Sequence, residues 1–291
     1  MYTVLSSSDE LFFMNPREGK YISYSYGTLP DVTAMTVTSD NNIYILAGQR
    51  ELSIFRCNYA ENVWECAGMS SVLRKYWYSD SDEFLIEVNQ ILFYLVADVE
   101  NGRALVLLRK YNRHTDQWQE CSRLQFKGND VFAPALSCGP HLYYIMSSAM
   151  HRYDSSQDCW CKRTPPKLIP DVSTAVAMGT EIFCTDYHFT QTMVYDTESD
   201  CWQKLRGWPK PVDLAIDNVP CLFVMENQVH ILLKTYDKVK QEKSTDYQVY
   251  VYDRSADAWR DLKATLPEKK YFVDLPGCLV ARMYLPYFRG A

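Results

Sequence analysis

The stretch Tyr252-Asp-Arg-Ser-Ala-Asp-Ala-Trp259 decides the fold, because its pattern returns along the whole chain. Tyr111 is followed seven residues later by Trp118, Tyr153 by Trp160, and Tyr195 by Trp202. Cys57 and Trp64 keep the offset with Cys in first place, and Met14 and Tyr21 keep it with both anchors changed. The residue after the first anchor is Asn15, Asn58, Asn112, Asp154, Asp196 or Asp253. Four positions further on come Gly19, Asn62, Asp116, Asp158, Asp200 and Asp257. Asx side chains hydrogen-bond to backbone two residues on and tolerate left-handed conformations, so they mark the two ends of a tight turn. Strand-forming residues flank that turn, Gln248-Val-Tyr-Val before it and Ala258-Trp-Arg-Asp-Leu after it. The unit reads as a hairpin whose anchors pack between neighbouring sheets.

Two further strand-like runs precede each hairpin. Ala175-Val-Ala-Met turns through Gly179 into Glu181-Ile-Phe-Cys, and Pro220-Cys-Leu-Phe-Val-Met turns at Glu226-Asn227 into Val229-His-Ile-Leu-Leu. Four strands per repeat predict an all-β, six-bladed β-propeller with four antiparallel strands per blade. The predicted blades span 33–67, 84–121, 132–163, 173–205 and 220–262, with the first assembled from 2–24 plus 277–286. Too little chain precedes Met14 for a complete blade, whereas Gly277-Cys-Leu-Val-Ala-Arg-Met supplies an orphan strand after Trp259. Joining the two would close the ring and remove an open sheet edge.

Composition narrows the function. A net charge of −6 argues against nucleic-acid or anionic-membrane binding, which want clustered Lys and Arg. No apolar run approaches the roughly 18 residues of a membrane span, and the first ten residues lack the features of a signal peptide. The ten cysteines contain no Cys-x-x-Cys; the closest pair is Cys159 and Cys161, on one face of a strand. No glycosylation sequon occurs. Scattered thiols without sequons are expected to be reduced, in the cytoplasm or the nucleus. No metal or cofactor is expected.

The repeat resembles the Kelch repeat over essentially the whole chain, with the Tyr-Asp-x5-Trp core intact at Tyr153, Tyr195 and Tyr252. The Gly-Gly pair of that family survives only as Ala47-Gly48; Ala97-Asp98, Ser147-Ser148 and Thr185-Asp186 stand at the corresponding places. The resemblance runs closest to the Kelch repeat and BTB domain-containing branch of the BTB-BACK-Kelch proteins. It implies a substrate-recognition module of a cullin-RING ubiquitin ligase, which engages the cullin through BTB and BACK regions not contained in this chain. The propeller itself would be monomeric. A cytoskeletal, actin-associated or trafficking scaffold without a ubiquitin role is the alternative, and a propeller enzyme the third reading.

Loops that vary between blades, on the end opposite the repeated turns, are where recognition is expected. Candidate partner-binding residues there are Arg50, Arg74, Tyr76, Trp77, Phe126, Tyr187, His188, Trp208, Tyr236 and Tyr271, because interfaces concentrate energy in Tyr, Trp and Arg. An Asp also recurs three residues ahead of each predicted first strand: Asp31, Asp82, Asp130, Asp171, Asp217 and Asp274. Asp130 and Asp171 are carried as candidates in an acidic ring for a basic motif. The alternative is that each Asp only accepts backbone N–H groups at a blade entrance. The Lys234–Lys243 stretch, with four Lys, offsets the acid locally. Of five His, only His188 reaches the variable end, too few for a copper centre. No P-loop, Gly-x-Ser-x-Gly or His-Glu-x-x-His is present, so the expectation is that the chain is not an enzyme.

Overall fold

The computed structural model describes residues 2–6, 10–25, 29, 32–58, 61, 63–73, 81–100, 103–127, 133–208, 214–216, 220–237, 245–263 and 281–283. Every regular element among them is a β-strand. The chain opens with β1 (Tyr2–Ser6), β2 (Glu10–Asn15) and β3 (Lys20–Ser25). A first contiguous blade follows in β4 (Val32–Val37), β5 (Ile43–Ala47), β6 (Glu51–Asn58), β7 (Val63–Cys66) and the short β8 (Val72–Leu73). The second comprises β9 (Asp82–Val88), β10 (Ile91–Glu100), β11 (Arg103–Asn112), β12 (Gln117–Glu120) and β13 (Leu124–Lys127). The third is β14 (Ala135–Cys138), β15 (His141–Ile145), β16 (Met150–Asp154) and β17 (Cys159–Arg163). The fourth is β18 (Val172–Met178), β19 (Glu181–Asp186), β20 (Thr192–Asp196) and β21 (Cys201–Leu205). The fifth is β22 (Leu214–Ile216), β23 (Cys221–Met225), β24 (Gln228–Asp237), β25 (Thr245–Asp253) and β26 (Ala258–Asp261); β27 (Ala281–Met283) comes last.

These are antiparallel propeller blades, with strands adjacent in sequence lying side by side. The repeat is visible in the register. Met14 lies opposite Tyr21, Cys57 opposite Trp64, Tyr111 opposite Trp118, Tyr195 opposite Trp202 and Tyr252 opposite Trp259. Between β23 and β24 both turn residues, Glu226 and Asn227, have φ near +50 to +60° (49° and 59°), the hairpin geometry that matches strand twist.

Two expectations are corrected. The structure shows five blades, where six were expected. The N-terminal strands form a further sheet in which β27 pairs with β1 from Tyr2↔Met283 to Val4↔Ala281. That C-terminal contribution is three residues long, and the chain on both sides of it lies outside the described residues, so closure of a ring is not established. The acidic residues also sit closer to the strands than predicted. Asp82 is the first residue of β9, and Asp171 directly precedes β18, because the strands begin earlier than their apolar cores suggest.

The chain divides into two compact units, each described by itself. One comprises Met1–Ser25, Ile145–Met150 and Arg163–Tyr284; the other comprises Tyr26–Tyr144, His151–Lys162 and Leu285–Ala291. Within the second, the leading strands of successive blades touch, β4 against β9 and β9 against β14. Within the first, β23 touches β18, β1 and β27. Blades that meet along their leading strands are arranged as in a propeller. Apolar side chains fill the space between blades. Leu46, Leu52 and Ile54 pack with Leu85, Leu92 and Tyr94, and Phe183 and Val194 pack with Leu222, Ile231 and Tyr252. Met14 packs with Phe223, Met225 and Val249, joining the N-terminal hairpin to the fifth blade. Burying one such side chain contributes about 1.5–3 kcal/mol, so these clusters outweigh any single polar contact between blades.

Candidate functional site

The repeated turn does a structural job. The first Asx caps its own turn: Asp154 Oδ1 accepts the Ser156 N–H at 2.9 Å, Asp196 that of Glu198 at 2.9 Å, and Asp253 that of Ser255 at 3.0 Å. The second Asp reaches across to the chain arriving from the preceding blade. Asp158 accepts the Tyr153 hydroxyl at 2.7 Å and the Ser122 N–H at 2.8 Å, while Trp160 Nε1 donates to the Ser122 carbonyl at 2.8 Å. Asp116 does the same with Tyr111 and Ser70, and Trp118 Nε1 bonds the Ser70 carbonyl at 2.9 Å. Asp200 does it with Tyr195 and Thr164, and Trp202 Nε1 bonds the Thr164 carbonyl at 2.6 Å. In the fifth blade Asp257 takes Tyr252 and the Arg206 N–H, but the buried Trp259 Nε1 has no hydrogen-bond partner among the described residues. Each such Asp has φ between 44° and 57°, which places its carboxylate over the turn. Burial alone would raise the Asp158 carboxyl, but the Ser122 and Tyr153 hydrogen bonds outweigh it and hold the group below its ordinary value. The same clasp raises the Tyr111 hydroxyl to about 12, chiefly through burial and then through the bond to Asp116.

The opposite ends of the blades differ from one another. β10 and β11 run ten residues each and β24 and β25 run ten and nine, whereas β19 and β20 stop at six and five. The β19–β20 connection is rigid. Buried Asp186 accepts the Thr190 N–H at 2.7 Å, the Thr190 hydroxyl at 2.6 Å and the Gln191 N–H at 2.7 Å. Phe189, at φ 53°, turns inward and is 1% exposed. Gly207 passes so close that a Cβ there would sit 3.0 Å from the Thr190 carbonyl oxygen. Tyr187 and His188 are left pointing to solvent, their rings edge to face at 5.3 Å.

The predicted residues divide accordingly. Tyr187, His188, Tyr236, Arg50 and Asp171 are exposed. Tyr236 belongs to the extended part of β24, paired with Ala215 on one side and Thr245 on the other. Trp208 must be corrected: it is 7% exposed, stacked on Phe189 at 6.0 Å and edge-on to Tyr250 at 5.8 Å, so it props the loop from below. Phe126 is half-buried, stacked on His151 at 6.2 Å and against Tyr144 at 6.5 Å, and is equally part of the framework. Arg74, Tyr76, Trp77, Asp130 and Tyr271 lie outside the described residues. Of the six acidic positions, Asp171 is exposed and Asp82 accepts the Ala133 backbone N–H; Asp31, Asp130, Asp217 and Asp274 lie outside the described residues. Burial lifts the Asp82 carboxyl to about 6 against that hydrogen bond. The loop-shaping roles of Asp186, Phe189 and Gly207 do not follow from the sequence pattern; Thr185-Asp186 in place of a glycine pair is the available signal.

His230 is fully buried, with Nδ1 3.0 Å from the Gln228 carbonyl, and its pKa is pushed down to about 4 mainly by burial. Among the described residues no cluster of His, Cys, Asp or Glu is placed to hold a metal ion. None of them forms a helix long and apolar enough to cross a membrane.

No family model matches the chain, and no curated protein matches it in sequence. Solved structures share the fold. YjhT is 10% identical with a TM-score of 0.53, covering 81% of this chain and 85% of its own. A functionally unknown protein from Desulfotomaculum acetoxidans is 10% identical at 0.52, covering 90% and 78%. A "putative 6-phosphogluconolactonase" from Bacteroides fragilis is 10% identical at 0.51, covering 90% and 94%. This last likeness corrects the expectation that the chain is not an enzyme: a propeller of this shape is described by an enzymatic activity, so the fold does not exclude catalysis. At such identity the likeness shows the fold alone.

Proposed function

We propose that this chain is a protein-binding propeller that recognises its partner through the blade ends opposite the Tyr–Trp turns. The observation that carries the reading is the β19–β20 loop. Its backbone is fixed by buried Asp186 and by Phe189, yet it holds Tyr187, 41% exposed, and His188 in solvent. An exposed aromatic on a pre-ordered loop contributes contact area with little ordering cost, which is how interface anchors work. Tyr236, 39% exposed on the next blade, is the second anchor. Asp171 and Arg50, both exposed, are carried as further candidates, and Arg74, Tyr76, Trp77, Asp130 and Tyr271 are candidates on sequence alone. The finer reading is a six-bladed Kelch ring closed by the C-terminal strand, acting in the cytoplasm or nucleus as the substrate-recognition domain of a BTB-Kelch adaptor for a cullin-RING ubiquitin ligase. The Tyr-Asp-x5-Trp repeat and the pairing of β27 with β1 support it. The alternative is a cytoskeletal or trafficking scaffold.

The test is affinity purification from cells under proteasome inhibition, comparing wild type with Tyr187→Ala/Tyr236→Ala. Loss of a discrete set of proteins, with an unchanged melting temperature, is expected. An unchanged set overturns the choice of loops. Co-purification of a cullin with the full gene product separates the adaptor from the scaffold.

A further inference from the structure

Among the described cysteines, Cys57, Cys121, Cys138, Cys184 and Cys221 are buried, and Cys66 and Cys201 are exposed. Cys159 and Cys161 differ. They occupy one face of β17, the last strand in the order β14-β15-β16-β17, so one hydrogen-bonding edge beside them pairs with no strand among the described residues. Both are half-buried, and their sulfurs are 4.0 Å apart. Trp160 between them is held on the other face by its bond to the Ser122 carbonyl, which fixes the strand and keeps the two thiols side by side. On the adjacent strand, Arg152 has a buried Nε with no hydrogen-bond partner among the described residues, and its charge acts on Cys159. That charge works towards a thiolate at Cys159, but burial and the neighbouring Cys161 sulfur outweigh it.

We propose that Cys159 and Cys161 form a reversible dithiol–disulfide couple, oxidised by peroxide. Two thiols this close need only side-chain rotation and a slight pucker of the strand. Cα atoms two residues apart along a strand are separated by about 6.6–6.8 Å, at the upper end of the disulfide range. No third ligand stands by to make the pair a metal site among the described residues. Partial burial and the adjacent Cys161 sulfur push the Cys159 thiol above its ordinary value, against the Arg152 charge. Proximity therefore decides the product.

One thiol loses its proton, and its sulfur attacks a peroxide oxygen. The O–O bond breaks, and the departing hydroxide takes up a proton to become water. The second sulfur then attacks the sulfenic sulfur; the S–S bond forms, the S–O bond breaks, and a second water leaves. The two sulfurs lose two electrons, peroxide gains two, and both thiol protons end in water. A disulfide closed between two positions of one edge strand is of the strained, readily reduced kind.

Trypsin releases Tyr153–Lys162, which contains both cysteines and no other. After peroxide treatment of the reduced full chain, this peptide is expected to be lighter by two hydrogens and to be restored by dithiothreitol. Cys159→Ser and Cys161→Ser, conservative changes at half-buried positions, should instead accumulate sulfenic acid, with dimedone labelling at the remaining cysteine more than about tenfold above wild type. Wild-type peptide that gains oxygen without losing hydrogens overturns the proposal. So does a disulfide that links two molecules.

Discussion

The Tyr153 hydroxyl donates to Asp158 at 2.7 Å, five residues further along the same hairpin, and one carboxylate oxygen serves both this bond and the Ser122 N–H. A contact local in sequence thus fixes a contact between blades, since Ser122 belongs to the chain leaving the second blade. Tyr153→Phe keeps the ring and its packing on Trp160 but removes the hydroxyl. It should lower stability by about 1–2 kcal/mol, and Asp158→Ala by more, because the latter also leaves the Ser122 N–H without its partner. A double-mutant cycle by urea denaturation should return a coupling energy for the pair; strict additivity would refute the shared clasp.

The clasps also predict an acid limit. The carboxyls of Asp158, Asp200 and Asp257 lie below their ordinary value because hydrogen-bond donors favour the charged form, in spite of burial. Their contribution is full above the unfolded carboxyl pKa of about 3.9 and is lost as pH falls through the lower folded values. The stability gap between wild type and Asp158→Asn should therefore be constant from pH 5 to pH 7 and shrink below about pH 4. Urea midpoints across this range measure it.

Asp82 runs the other way. Its folded pKa of about 6 exceeds the unfolded value, so the native state holds the proton more tightly. Stability is greatest below about pH 3.9, declines as pH rises towards 6, and is then flat. Asp82→Asn keeps an oxygen for the Ala133 N–H and removes the charge. At pH 7 it should raise stability by on the order of 1 kcal/mol, a figure discounted for partial solvation, and the gain should vanish at pH 4.

How far the sequence could be read depends on how local each interaction is. The Tyr…Trp offset was legible because turn chemistry repeats at fixed spacing, and the anchors do lie opposite one another. The role of the second Asp was only half legible. Its turn position follows from spacing, but its bond to Ser122, Ser70 or Thr164 depends on how the next blade packs. The extra strands β8, β13 and β22 arise where connecting chain lies along an extended hairpin, and no periodicity announces them. Trp208 looked like a surface anchor because it stands in a connecting segment; its burial is decided by Phe189, 19 positions away.

Gly48 is the one glycine of the lost pair that the backbone still demands. Its φ is 137°, and a Cβ would lie 2.3 Å from the Glu51 carbonyl oxygen, a backbone atom that cannot swing aside. Gly48→Ala should cost on the order of 2 kcal/mol. Gly139→Ala, at φ 57° with open space around it, should cost less. Thermal melts of the two variants give the comparison; equal losses would show that steric closure at Glu51 contributes nothing.

The β19–β20 loop supplies the last comparison. Trp208 and Phe189 are buried beneath Tyr187 and His188, so removing them should act through stability and removing Tyr187 through binding alone. Trp208→Ala leaves a cavity next to Tyr250 and Trp259 and should cost about 3–5 kcal/mol. Tyr187→Ala should leave the melting temperature within about a degree, as exposed substitutions do, while abolishing partner recovery. If Tyr187→Ala instead lowers the melting temperature as much as Trp208→Ala, Tyr187 is part of the loop's own packing. The site would then have to be sought on the extended β24–β25 hairpin around Tyr236.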